Sequence, residues 1–279
     1  MMRIMMIALA TAGAGLAACD REPAEAVKVE AKPVALAYEG AGATDPAAIR
    51  AHGKRMSQVL SCAGCHGDNL QGTNVTADDP GTGDMNAPNL TLLLASYSDA
   101  DLDRVIRHGI PKDNRQLWFM TSETLQFVSD SDVTALVAYL RTVKPAGKPM
   151  PKVRLGPKFS DDVAKGVAAD APGMVKRFKA SQPVDLGPSH ALGRYIAMTT
   201  CTQCHNGALQ GYEGFTPNLD IAGSYTSAEL TTLLTTGEGK VKKDLGLMSV
   251  IVKNAYSKLT PDERAAVVAY VKARVDRPQ

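Results

Sequence analysis

Two five-residue stretches carry the chemistry this chain could do on a planar cofactor: Cys62-Ala63-Gly64-Cys65-His66 and Cys201-Thr202-Gln203-Cys204-His205. Each reads C-x-x-C-H, the attachment signature of a c-type haem. The two thiols reach two vinyl groups on one porphyrin edge, and the next residue turns its imidazole onto the iron. Two copies predict two covalently bound haem c groups. A zinc knuckle, a structural disulfide or a thioredoxin-like redox pair needs only the cysteines. None of these explains a histidine directly after both pairs.

With His66 and His205 as proximal iron ligands, the far side of each iron decides between electron transfer and catalysis. The step from Tyr97 to Tyr225 equals the step from Met120 to Met248, so the two methionines occupy equivalent places. Each is expected in a loop between two capped helices, far enough after its histidine for the chain to come round to the opposite face. A thioether suits iron in an electron carrier and raises its potential relative to two histidines. A lone methionine is more often core filling, but repetition at matched places favours ligation. Met85 competes in the first copy, although it lies in a stretch with no partner in the second. His52, His108 and His190 have no counterparts either. Surface or capping roles are expected for His52 and His190, and His108 ends a helix, where a cation suits the dipole. Trp118 and Phe119 would wall the pocket beside Met120 or simply pack. A ligating imidazole usually donates its other N–H to a fixed acceptor; the carbonyls of Pro88 and Pro217 are the candidates.

The elements that must position these groups also occur twice, and the repetition predicts two domains. Thr44-Asp45-Pro46 opens a helix, with Asp45 as N-cap and Pro46 at its first position, running to about Ser61. Gly53 and Gly193 precede the two haem motifs by similar distances, where a glycine would let another helix cross closely. Pro88-Asn89-Leu90 recurs as Pro217-Asn218-Leu219. Ser98 with Asp101 and Thr226 with Glu229 have the capping-box spacing, and Ser129 and Thr260 look like two further capped starts. The first copy is longer between its histidine and its proline, and the extra stretch from Asn74 to Asn86 is expected on the surface. The periodicity is helical throughout and predicts an all-α fold, with the haems filling much of two small cores. The expected divisions are 45–145 for the first domain, 146–187 for a linker packing on it, and 188–279 for the second.

The N-terminus carries one early charge, Arg3, then an apolar run from Ile4 to Leu16, closing with Leu16-Ala17-Ala18-Cys19. That run is too short for a membrane span and reads as an export signal over residues 1–18. It resembles a bacterial lipoprotein signal, in which the cysteine after such a triplet is acylated. The five cysteines are then all used: Cys19 for lipid, Cys62 and Cys65 for one haem, Cys201 and Cys204 for the other. Asp20 weakly favours retention at the inner membrane, and residues 19–44 read as a flexible tether. A formal charge of +2, with basic residues scattered, excludes a nucleic-acid partner as an expectation.

Taken with Ala87-Pro88-Asn89-Leu90-Thr91, Arg107-His108-Gly109, Leu117-Trp118-Phe119-Met120 and Ala135 to Arg141, the chain resembles class I cytochromes c. More narrowly it resembles tandem membrane-attached cytochromes related to the cytochrome c subunits of bacterial membrane-bound dehydrogenases. The resemblance covers about residues 48–160 and 188–274. It implies two all-α class I cytochrome c domains, His and Met ligation by His66 with Met120 and by His205 with Met248, and proline carbonyls behind the histidines. The chain departs from those subunits in having two haem motifs rather than three, and Thr121 where proline usually follows the ligand methionine. The function implied is a lipid-anchored, periplasm-facing dihaem carrier of single electrons. Its partners would be a dehydrogenase or quinol-oxidising complex and a downstream acceptor such as a terminal oxidase, with no small-molecule substrate of its own. The competing class is a dihaem enzyme, such as a peroxidase or a thiosulfate dehydrogenase, in which one distal ligand is labile.

Overall fold

Asp45 accepts the backbone N–H of Ala48 at 2.8 Å and Pro46 takes the first helical position, so helix α1 (Pro46–Val59) begins as its sequence predicts. The computed structural model describes residues 36–277. The export signal, Cys19, Asp20 and most of the tether therefore lie outside the described residues. Helix α1 stops two residues short of Ser61, because Ser61 turns into the left-handed region (φ 58°) to start the short α2 (Cys62–His66).

The first repeat continues through strand β1 (Gly83–Asp84), helix α3 (Leu90–Leu93), α4 (Asp99–His108), α5 (Ser122–Leu125) and α6 (Asp130–Leu140). Strand β2 (Arg154–Leu155) and helices α7 (Pro157–Ala164) and α8 (Ala171–Ala180) follow. The second repeat comprises α9 (Ala191–Thr199), α10 (Thr202–His205), α11 (Ser227–Thr236), α12 (Leu247–Asn254) and α13 (Pro261–Val275). The fold is all-α as expected, with one small piece of sheet: β1 and β2 pair antiparallel, Gly83 opposite Leu155 and Asp84 opposite Arg154. This pairing ties the inserted loop to the segment after the first repeat. In the same segment α8 packs on α5 and α4, and the Ala171 N–H reaches the Leu117 carbonyl at 2.9 Å. Its far end turns to the second repeat, where Pro183 accepts from Arg194 and Val184 from Tyr270.

Capping is duplicated in detail. Ser98 with Asp101 starts α4 and Thr226 with Glu229 starts α11, both as complete capping boxes, and both helices end on left-handed glycines, Gly109 and Gly237. Thr260 with Glu263 boxes α13. The two glycines before the haem motifs meet the closing helices. A Cβ on Gly53 would lie 1.8 Å from the Ala135 carbonyl oxygen, and one on Gly193 would lie 2.1 Å from that of Ala266. Only glycine lets α1 cross α6, and α9 cross α13, this closely.

Around those crossings the two repeats share one apolar core: Met56, Val59, Leu136 and Leu140 on one side, Ile196, Val252, Val267 and Tyr270 on the other. Their polar contact is reciprocal. Two residues after each crossing glycine, a side chain reaches the acid that lies three residues before the other repeat's crossing alanine. Arg55 donates to both carboxylate oxygens of Glu263, at 2.8 and 3.0 Å, and Tyr195 donates its hydroxyl to Asp132 at 2.9 Å. Asp132 is fully buried and also accepts from His52 (2.7 Å), Ser129 (2.7 Å) and the Tyr38 backbone (3.1 Å). Burial opposes its ionisation, but these donors outweigh it and hold the carboxyl below its usual range. His52 is therefore a buried partner of Asp132 rather than a surface residue.

Candidate haem centres

Each haem motif sits where an entry helix breaks, at Ser61 before Cys62 and at Thr200 before Cys201. Behind the motif, the two repeats build the same small loop. The Gly72 N–H donates to the His66 carbonyl (2.7 Å) and the Gly211 N–H to that of His205 (2.8 Å). Hydroxyls of Thr73 and Thr216 donate to the carbonyls of Cys65 and Cys204, at 2.7 and 2.6 Å. Leu70 and Leu209 both adopt positive φ, 59° and 62°. A Cβ on Gly72 would press on the Ala87 carbonyl, and one on Gly211 on the Thr216 carbonyl. The signal for this loop is the repeated Leu70-Gln71-Gly72 and Leu209-Gln210-Gly211, which the sequence reading passed over.

The loop delivers each proline carbonyl to its histidine. Nδ1 of His66 lies 3.0 Å from the Pro88 oxygen, and Nδ1 of His205 lies 2.8 Å from that of Pro217. A carbonyl only accepts, so each Nδ1 carries the proton and Nε2 keeps its lone pair. Burial lowers the basicity of His66, partly offset by the Pro88 hydrogen bond, and both rings are neutral near pH 7. His205 is lowered by burial, raised by Pro217, and lowered again by the charge of Arg274.

None of the four motif cysteines is joined in a disulfide, and all four sit in a desolvated setting. Burial, with the neighbouring Cys65 adding, pushes Cys62 up to about 12; burial pushes Cys201 up to about 11 despite a hydrogen bond from Thr200. Such thiols are poor thiolates, unlike those of a thioredoxin-like redox pair. Among the described residues, no three His, Cys, Asp or Glu side chains stand together to hold a bare metal ion.

Met120 and Met248 are both half-buried and pack against the core, but on different backbones. Met120 lies in the turn before α5, whereas Met248 is the second residue of α12 rather than in a loop. Large apolar residues beside them are exposed: Phe119 at 46%, Leu247 at 52% and Val250 at 51%. Exposed apolar side chains grouped around a thioether are surface for a macrocycle to cover. Trp118 meets Phe159 of α7 edge to face and Phe119 meets it at a tilt, at 5.5 and 5.4 Å between ring centres. Met85 is buried within the inserted loop, its backbone hydrogen-bonded to Thr76 and Val75. His108 is exposed at the end of α4, and His190 is half-buried in a short turn before α9.

Free Nε2 atoms, neutral thiols beside them and apolar side chains around two thioethers fit a covalent haem in each repeat. The cytochrome c family model matches the chain twice, over residues 51–144 and 190–274. The chain belongs to the cytochrome c family. Its two domains hold two covalently bound haem c groups. The fructose dehydrogenase cytochrome subunit of Gluconobacter japonicus is 25% identical over 269 residues, covering 82% of this chain and 54% of that protein. The gluconate 2-dehydrogenase cytochrome c subunit of Pantoea cypripedii is 24% identical over 270 residues, covering 81% of this chain and 59% of that protein. This cytochrome thus spans little more than half the length of these curated relatives.

Three functional features escaped the sequence reading. Arg274 is buried with its guanidinium on the loop behind His205. Glu123, three residues after Met120, is buried with its Oε2 unpaired among the described residues. Burial pushes its carboxyl up to about 7, and it lies close enough to Tyr212 of the second repeat to raise that phenol. The Asp132 cluster is the third. All three depend on contacts between residues far apart in the chain.

Proposed function

We propose that this cytochrome is a lipid-anchored, periplasm-facing carrier. It would take single electrons from a dehydrogenase or quinol-oxidising complex and pass them to a downstream acceptor. The observation that carries this reading is that each repeat has a carbonyl-held histidine and, at the matched place in its sequence, a half-buried methionine. When bound, haem c supplies one-electron chemistry at its iron. The chain's own residues set how that electron is handled. Nε2 of His66 and of His205 would face the irons, Met120 and Met248 would close the opposite sides, and no position would be left for a substrate. Cys62, Cys65, Cys201 and Cys204 would hold the macrocycles through thioethers. The dehydrogenase as donor is supported by the two relatives, which are named as dehydrogenase subunits.

The second methionine tests the closed sites. Met248→Ala leaves the second haem attached but opens it to external ligands, seen as new binding in the reduced spectrum; an unchanged spectrum means another residue fills that place. The anchor rests on Cys19 after Leu16-Ala17-Ala18, and several buried acyl methylenes, at about 0.8 kcal/mol each, would hold it durably. Asp20 weakly favours the inner membrane. Cys19→Ser releases the cytochrome from the membrane fraction and abolishes the acylated mass; a variant that stays membrane-bound refutes the anchor.

A further inference from the structure

The loops behind the two histidines match in backbone and differ in one charge. Arg274 of α13 is 1% exposed. Its guanidinium donates to the Ala208 carbonyl at 3.1 Å and the Asn218 side-chain oxygen at 3.3 Å, and pairs with Asp220. Ala208 and Asn218 flank the loop whose Pro217 carbonyl holds His205, so a buried cation stands directly behind the second proximal ligand.

In the first repeat this cation is missing. Tyr139 and Tyr270 match, and four residues beyond them stand Val143 and Arg274. Val143 packs against the apolar core, and the matching asparagine, Asn89, donates instead to the backbone carbonyls of Ala146 (2.8 Å) and Lys148 (3.1 Å). Asp220 does not cancel Arg274. Its carboxylate is about a third exposed and shared with Arg277, so two guanidiniums face one carboxylate. The anion is screened by water while Arg274 is not, and the balance behind His205 is positive.

We propose that Arg274 sets the reduction potential of the second haem above that of the first, so that electrons run from the first repeat to the second. A buried positive charge near a haem disfavours the ferric state, which carries one more charge than the ferrous. An electron from a protein donor would enter at the haem held by His66 and leave from the haem held by His205 to a protein acceptor, one donor oxidised for each acceptor reduced; no proton or bond change is required. This inference rests on the carrier reading.

The test is an optical redox titration of the holo-protein, resolved into its two one-electron steps. Arg274→Gln lowers the upper step and leaves the lower one in place, whereas Arg274→Lys keeps the upper step near its wild-type value. Asp220→Asn, at a partly exposed residue, raises the upper step and serves if Arg274→Gln does not fold. A shift confined to the lower step, no shift in either Arg274→Gln or Asp220→Asn, or equal effects of Lys and Gln at 274, overturns the proposal. Ligand binding to the wild-type irons would refute the carrier reading while leaving the order of potentials measurable, so the two failures are distinguishable.

Discussion

On the proximal side the two repeats match residue for residue: His66 with Pro88 and His205 with Pro217, Thr73 with Thr216, Gly72 with Gly211. Beyond that shell they diverge. Met120 precedes a four-residue helix and Met248 lies within an eight-residue one; Val143 stands where Arg274 does; Glu123 stands where the second repeat has Ile251. Covalent attachment and axial ligation demand one geometry, and the loop that supplies it is duplicated down to a left-handed leucine. Charge and docking are under no such demand, and there the copies have become unequal in ways that would give two like haems different potentials and neighbours. The interface shows both tendencies. The reciprocal reach from Arg55 to Glu263 and from Tyr195 to Asp132 keeps one geometry while using an ion pair on one side and a phenol on the other.

The largest effect is expected from the inequality after the methionines. Glu123 takes up its proton at about 7 in the folded chain against 4.5 when exposed. Its folded value is raised, so between those values the unfolded state releases the proton first and stability falls as pH rises, by roughly 3 kcal/mol in all. Glu123→Gln removes that slope, measured as denaturant midpoints between pH 4.5 and 7.5. An equal slope in wild type and variant means that Glu123 is not the buried acid described. A smaller effect tests the equality of the crossings. Gly53→Ala forces α1 off α6 and costs about 2 to 3 kcal/mol, and Gly193→Ala, with slightly more room, costs about 1 to 2. Chemical denaturation of the two holo variants checks both. If one substitution is harmless, the crossings are not equivalent.

Much of this was legible because it was local or repeated. Capping boxes need only residues three apart, and Ser98, Thr226 and Thr260 form them as written. The proline carbonyls followed from the rule that a ligating histidine has a second acceptor, and from the recurrence of Pro-Asn-Leu. Asp132 shows where local reasoning stops. It stands in a capping position after Ser129, yet its carboxylate serves His52, Tyr38 and Tyr195, one of them from the other repeat. Nothing local marks Arg274, in the last turn of one helix, or Glu123, in the first turn of another. Burial by distant segments gave each its role, and no periodicity announces that. Both methionines are expected in loops, but the apolar stretch from Leu247 to Val252 is helix-forming and α12 begins one residue before Met248.

The most direct test of the account is the spectrum of the purified, dithionite-reduced holo-protein with and without carbon monoxide. Two closed irons predict low-spin spectra for both haems and no carbon monoxide binding at either. Rapid binding at one haem, and above all at the first, would contradict the carrier and make this cytochrome an enzyme with an open iron.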